Sequence, residues 1–399
     1  MDPVEITRRF ETTAANTFRI SEQPPLFVKG EGAYLFSADG VPFLDLVGGS
    51  ATSLIGHGHE GQKNAILKVL DSGILHTGTR LPSPFRADFY TVLAKVLPSH
   101  LTRIHLANSG AEAIETAIKV AMWKTKRRRI IAFSGGYHGR TLGALAVTHS
   151  EKLRHGYEPW ASPWVKFGPY AHSDNEADIS LAKLEIMLKS EKVAAIVVEA
   201  IQGVSGVLGP SVKFLQGIEK LAKTHETLVI ADEIWNGFGR CGEWFAFQKA
   251  ELEPDLVAMG KGLSASLPLS AVAGREEILT SWGPGSHTST FQGNPLSVAA
   301  AKSTIETLVK ENLVTRAREV IEPLMKSALL GLNCRVIGAQ AAIDMGSSHA
   351  SVELQKKAMD LQILIYGGGQ SGDCVMLLPP LNIAEGVLEN AISRLRAIM

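Results

Sequence analysis

Glycine flanks a lysine at Gly260-Lys261-Gly262, directly after the apolar run 255–259. A lysine amine whose pKa is lowered by burial or nearby positive charge is a nucleophile able to form a Schiff base, and glycines on both sides leave it room. A plain surface lysine is the bland alternative. Upstream, Leu228-Val229-Ile230-Ala231-Asp232 ends an apolar run on a carboxylate. A buried acid is costly unless paired, and a protonated pyridine nitrogen would pair with Asp232. Such a pair keeps a heterocycle cationic and makes it an electron sink. Ile234 shares the face of Asp232 by the two-residue period of a strand and could pack on the ring. An ordinary buried acid bonded to backbone is the alternative.

Three further segments have the right residue types for holding a phosphorylated, planar ligand. Asn108-Ser109-Gly110-Ala111-Glu112 follows a strand-like run and opens a helical one. The free N–H groups and partial positive charge of a helix start can hold a phosphate; Gly110 allows close approach and Ser109 adds a hydroxyl. A simple helix cap at Ser109 is the competing reading. Gly135-Gly136-Tyr137-His138-Gly139-Arg140 follows another apolar run. It exposes an aromatic side chain at a strand's carboxyl end, where α/β proteins usually bind ligands. Tyr137 could stack on a ring there, or merely plug a loop. The hydroxyl-rich run Thr288-Ser289-Thr290-Phe291-Gln292 stands just ahead of a helix.

These segments need a scaffold, and the chain supplies one. Short runs rich in Val, Ile, Leu and Ala at 103–107, 129–133, 193–199, 227–232, 255–259 and 269–274 read as buried parallel strands. Helical patterns at 111–126, 179–190 and 211–225 lie between several of them. Strand, helix, strand repetition predicts an α/β fold with a mostly parallel sheet flanked by helices. Residues 1–45 are expected as an N-terminal segment with a hairpin around Asp39-Gly40. Residues 46–295 are expected as the large domain. Residues 296–399 then supply a linking helix and a smaller α+β domain, ending in a helix over 384–397.

Composition narrows the function classes. The 399 residues are 45% hydrophobic and 20% charged, ordinary for a folded protein of more than one domain. Lys plus Arg equal Asp plus Glu at 40 each, so the basic footprint of a nucleic-acid binder is absent. No apolar run approaches the ~20 residues that span a bilayer, and the first residues lack the apolar core of a signal peptide. Cys241, Cys334 and Cys374 are odd in number and widely spaced, as reduced thiols are and disulfide frameworks or zinc sites are not. A cytoplasmic location is expected, with neither nucleic acid nor membrane as partner. No G-x-G-x-x-G follows an early strand, which removes the nicotinamide dehydrogenase reading.

In this order and spacing, the segments from Asn108 to Pro295 resemble a class III (ornithine/4-aminobutyrate-type) aminotransferase of the pyridoxal 5'-phosphate (PLP) fold-type I superfamily. GEGAYLFSADGVPFLDL, Gly56-His57-Gly58-His59 and LLPPLN extend the resemblance over most of the chain. It implies that Gly110 and Ala111 bind the phosphate through backbone amides, with Ser109 beside them. Tyr137 would stack on one ring face and Ile234 on the other, with His138 also in the cofactor-facing set. Asp232 would pair with the ring nitrogen, and Lys261 would carry the cofactor and shuttle the proton. Glu199 matches a glutamate near the pocket. Thr290 would reach the phosphate of the neighbouring subunit's cofactor, which implies a homodimer with shared active sites.

Three positions depart from that family. Met376 stands where an arginine often clamps a substrate α-carboxylate, and Val204 where its idle-state glutamate partner is common. Trp235 occupies a position often held by glutamine; its indole can donate a hydrogen bond but not accept one. The expected reaction is amino-group transfer between an amine or amino acid and a carbonyl acceptor, with an apolar portion on the substrate. A racemase, epimerase or decarboxylase of the same fold is the second reading; a non-catalytic PLP-binding protein is disfavoured by Asp232 and Lys261 together. Arg80, Arg86, Arg140 and Arg240 are the candidates for a substitute cation.

Overall fold

The computed structural model describes residues 2–15, 17–157, 163–209 and 211–399. Three short strands come first: β1 (Phe27–Glu31), β2 (Tyr34–Ser37) and β3 (Pro42–Asp45). The Asp39-Gly40 turn joins β2 to β3, with Gly40 at φ 79°, which a side chain would resist. The expected hairpin is therefore there, with β1 added on its outer edge.

The main sheet contains β4 (Arg103–Ala107), β5 (Arg129–Phe133), β6 (Val165–Gly168), β7 (Val193–Val198), β8 (Leu228–Asp232), β9 (Leu256–Met259) and β10 (Ser270–Gly274). Its order is β4-β10-β9-β8-β7-β5-β6. Neighbours from β9 to β6 run parallel, while β10 lies antiparallel between β4 and β9. Every residue of β7 is buried, because helices cover both faces and leave no solvent side for polar alternation.

Strand periodicity divides that core into two layers. Ile130, Ala132, Val197 and Ile230 pack with Ala113, Ile114 and Ala117 of the helix Gly110–Thr125. Their neighbours Ile131, Phe133, Val198 and Ala231 face Leu184 of the helix Asp174–Ser190 and Phe214 of the helix Val212–Thr224. Each such buried aliphatic or Phe side chain contributes about 1.5–3 kcal/mol. The alternation also aims chain ends: β4, β5, β7, β8 and β9 all finish at one edge of the sheet. That edge collects Gly110, Ala111, Tyr137, His138, Asp232, Ile234 and Lys261, and Ser289 of the Thr288–Gln292 run reaches it through Asn108.

Three details differ from expectation. The run 269–274, read among the parallel strands, forms β10, which is antiparallel to both neighbours. The short, edge-lying β6 is an added strand. The helix expected from residue 179 begins at Asp174, because Ser173 and Glu176 form a reciprocal capping box ahead of the apolar stripe.

The carboxyl-terminal part forms β11 (Cys334–Val336), β12 (Ala341–Asp344), β13 (Ile363–Leu364), β14 (Tyr366–Gly368) and β15 (Cys374–Leu377). Four of them make an antiparallel sheet, β11-β12-β15-β14, whereas β13 joins β3 in the amino-terminal sheet. The helix Pro295–Lys310, capped by Asn294, packs on the helices Glu60–Ser72 and Pro84–Leu93. Among the described residues no helix is long and apolar enough to cross a membrane.

Candidate active site

Lys261 follows β9 and sits on a tight bend at φ 40°. Packing requires one of its flanking glycines: a Cβ on Gly262 would stand 2.5 Å from Leu54 Cδ1, whereas one on Gly260 would meet its neighbours at ordinary contact distance. Burial pushes the Lys261 amine down to about 8, against the opposing charges of Asp232 and Glu199. Deprotonation of this amine near neutral pH is therefore inexpensive, as a nucleophile or base requires.

Asp232 ends β8 and is buried. His138 Nδ1 donates to its Oδ2 at 2.7 Å, and the Ile234 N–H donates to its Oδ1 at 3.0 Å. Burial opposes charge on His138, but the bond to Asp232 and the charges of Asp232 and Glu199 outweigh it and raise the imidazole. The pair keeps a negative charge stable inside the protein. Glu199, one residue beyond β7, accepts from the Tyr137 N–H (2.7 Å) and the Gly203 N–H (3.1 Å). Burial nevertheless lifts its carboxyl to about 7.

The helix Gly110–Thr125 opens at the same place. A Cβ on Gly110 would come within 2.9 Å of Ile234 Cγ2, so only glycine lets the helix start approach this closely. Gly110, Ala111, Tyr137, His138 and Glu199 line one cavity of about 310 Å³ together with Asp232, Ile234 and Lys261. Eight of the ten sequence-expected site residues thus meet there. The other two do not. Ser109 turns its hydroxyl to the Glu112 N–H (3.2 Å) as a helix cap, and its carbonyl accepts from Ser270 Oγ at 2.6 Å. Thr290 is exposed on the loop before Pro295, whose Ser289 Oγ accepts from Asn108 Nδ2 at 2.8 Å.

A buried amine, a buried carboxylate bonded to an imidazole and a helix start on the same cavity suit a phosphorylated pyridine aldehyde. The aminotransferase class-III family model matches residues 19–399. This chain belongs to the class III aminotransferases. The aminotransferase is 33% identical to the acetylornithine aminotransferase of Archaeoglobus fulgidus over 373 residues, 93% of this chain and 95% of that one. It is also 33% identical to a diaminobutyrate–2-oxoglutarate aminotransferase of Haemophilus influenzae, over 94% of this chain and 90% of the relative. An (S)-enantioselective omega-transaminase from Thermomicrobium roseum shares the fold, with a TM-score of 0.89, 23% identity and coverage of 100% and 99%.

The remaining wall of the aminotransferase cavity holds two of the positions at which the sequence is expected to depart from the family pattern. Val204 and Trp235 line it. A Cβ on Gly368 would lie 2.2 Å from Met376 Sδ and 3.3 Å from the Val204 carbonyl, so the two departing positions are neighbours in space. Of the four candidate arginines, only Arg140 lines the cavity, with its guanidinium 5.9 Å from the Tyr137 ring centre. Arg240 is fully buried elsewhere and donates to the Ala339 and Pro379 carbonyls. Arg86 donates to the Leu81 carbonyl, and Arg80 is exposed off the cavity. Arg335, outside the cavity lining, packs behind this wall: its Nε donates to the Gly206 carbonyl (2.6 Å) and its Nη2 meets Cys374 Sγ (3.3 Å). Nothing in the local sequence marks it; only the strand register, Arg335 to Ala342 to Met376, brings it there.

Proposed function

We propose that this aminotransferase works with pyridoxal 5'-phosphate held at the 310 Å³ cavity, with Lys261 as its covalent anchor. The observation that carries the reading is the meeting of Lys261, Asp232 and the helix start at Gly110 around one cavity. When bound, the cofactor supplies an electron sink for the electron pair left on the substrate carbon. Gly110 and Ala111 would hold its phosphate through backbone N–H groups. Tyr137 and Ile234 would flank its ring, and Asp232, steadied by His138, would hold the ring nitrogen protonated. With the cofactor bound, Lys261 Nζ would take the proton from the amine-bearing carbon and return one, as base and then acid. Its lowered pKa suits both roles. Glu199 fixes the Tyr137 loop through the Tyr137 N–H.

The exposed position of Thr290 supports a homodimer in which this threonine serves the neighbouring subunit's phosphate. Three free cysteines agree with a reducing, cytoplasmic setting. Curated relatives are named for amino-acid donors, acetylornithine and diaminobutyrate among them. Here the wall carrying Val204 and Trp235, with Met376 close to Val204, is apolar, which supports a donor or acceptor with a substantial apolar portion. Arg140 is then the cation left to meet any carboxylate. The test is a half-reaction screen that follows cofactor absorbance with matched donors, with and without an α-carboxylate. An apolar amine should react as well as its amino-acid counterpart. A hundredfold gain from the carboxylate, about 2.7 kcal/mol, would overturn the substrate reading and point to Arg140.

A further inference from the structure

Trp235 presents its indole to the cavity beside the lysine. Lys261 Nζ lies 4.0 Å from the ring centroid, well inside the distance at which an ammonium is attracted to an aromatic face. The ring's single polar atom turns the other way. Trp235 Nε1 donates to Gln340 Oε1 at 2.8 Å, Gln340 Nε2 donates to Asn236 Oδ1 at 2.9 Å, and Asn236 Nδ2 donates to the Ile201 carbonyl at 2.6 Å. All three side chains are buried. The direction of this relay is forced from both ends: an indole N–H can only donate and a carbonyl can only accept. Flipping either amide would set donor against donor, so the ring has one stable orientation.

Packing closes the remaining freedom. A Cβ on Gly203 would stand 2.4 Å from Trp235 Cδ1, so the backbone itself backs the indole. The Tyr366 ring, on β14, lies 6.2 Å from it. Gln340 immediately precedes β12, so the relay ties the lysine's neighbour to the small carboxyl-terminal sheet. The charged and titratable groups facing Lys261 are Asp232 on β8, Glu199 after β7, and His138, Tyr137 and Arg140 on the loop after β5.

Resting on the cofactor reading above, we propose that Trp235 is a positioning and specificity-determining residue. Its fixed π face seats the Lys261 amine, and its ring forms the apolar wall against which a substrate's side chain packs. A glutamine at this place would offer an acceptor and donors to the cavity; the tethered indole offers neither.

The test uses full-length protein freed of cofactor, labelled with acetic anhydride across a pH series. Peptide mass analysis reads the acetylation of Lys261 against a surface lysine. Trp235→Leu should move the half-labelling pH of Lys261 downward by roughly 0.5 to 1.5 units, because the cationic amine loses its aromatic partner. Trp235→Phe keeps a ring without the Gln340 tether and should fall between. In the loaded enzyme, the preference for a phenyl-bearing over a methyl-bearing amine should drop roughly tenfold in Trp235→Leu, equivalent to about 55 Å² of lost apolar contact. An unchanged or raised labelling midpoint in a folded variant overturns the seat, and an unchanged preference overturns the wall. If the leucine variant fails to fold, the phenylalanine variant decides by the same midpoint. Failure of the cofactor reading looks different: borohydride would leave Lys261 unmodified in the loaded protein, while labelling would still report the contact with Trp235.

Discussion

The two walls of the cavity are built on opposite principles. The wall at the sheet edge is polar and paired: Asp232 with His138, Glu199 with two backbone N–H groups, and Lys261 against both acids. Its members come from strand ends of one sheet. The other wall is apolar, formed by Val204 and Trp235 from large-sheet loops and backed by Tyr366 and Met376 from the small sheet. The contrast separates two kinds of surface. Titratable groups stand at the strand ends of one sheet, while the apolar contacts form between elements and meet the amine only where the Trp235 ring faces Lys261.

The sharpest way to break this comparison is at the lysine. Lys261→Ala should lower turnover by at least about a thousandfold, more than 4 kcal/mol, while leaving the apolar wall and the overall fold in place. Borohydride reduction of the parent followed by peptide mapping should find the pyridoxyl group on Lys261. A label on any other lysine would mean that the polar wall has been misassigned.

Asp232→Asn should come next in size. The amide keeps the shape but cannot hold a ring nitrogen protonated, and it also leaves His138 without its anionic partner. We expect a loss of about 3 kcal/mol, over a hundredfold in rate, with cofactor still retained. Near-parental turnover would show that the anion is structural only.

The smallest effect concerns stability, and it contrasts adjacent acids. Asp232 has His138, but among the described residues Glu233, also buried, accepts from the Ala246 and Phe247 N–H groups alone. Burial pushes Glu233 up to about 8 and Glu199 to about 7. Unfolded, both ionise near 4.5, so the folded chain holds more protons between those limits. Stability therefore falls as pH rises from about 5 to 8, by up to about 1.4 kcal/mol per pH unit for each proton retained. Lys261 acts in the other direction above about 8, where the folded chain holds fewer protons. Thermal midpoints of the cofactor-free protein should trace this decline. Glu233→Gln should sit lower overall, because its amide nitrogen faces a backbone donor, yet slope less with pH. An unaltered slope would show that Glu233 ionises normally.

Much of the polar wall was readable from short segments, because each member follows an apolar strand and all parallel strands end at one edge. A glycine on either side of Lys261, a carboxylate closing Leu228–Asp232 and an aromatic after two glycines are local signals. The same logic placed Ile234 beside Asp232. Local patterns also have limits: Ser109 reads equally as cap or ligand, and the fold uses its side chain as the cap.

What the sequence by itself determined was thus the α/β layering, the order of the motifs and the residue types that do the chemistry. The tertiary structure alone decided who meets whom. Met376 nears Val204 through Gly368, Arg335 reaches Gly206 across two strand registers, and Gln340 orients Trp235 from more than a hundred residues away. It also removed Arg240 from the cavity by burying it against carbonyl groups. The physical reason is range. Periodicity, capping and turn chemistry act over a few residues and are written locally. Side-chain contacts between sheets depend on register and packing, which no window of sequence contains.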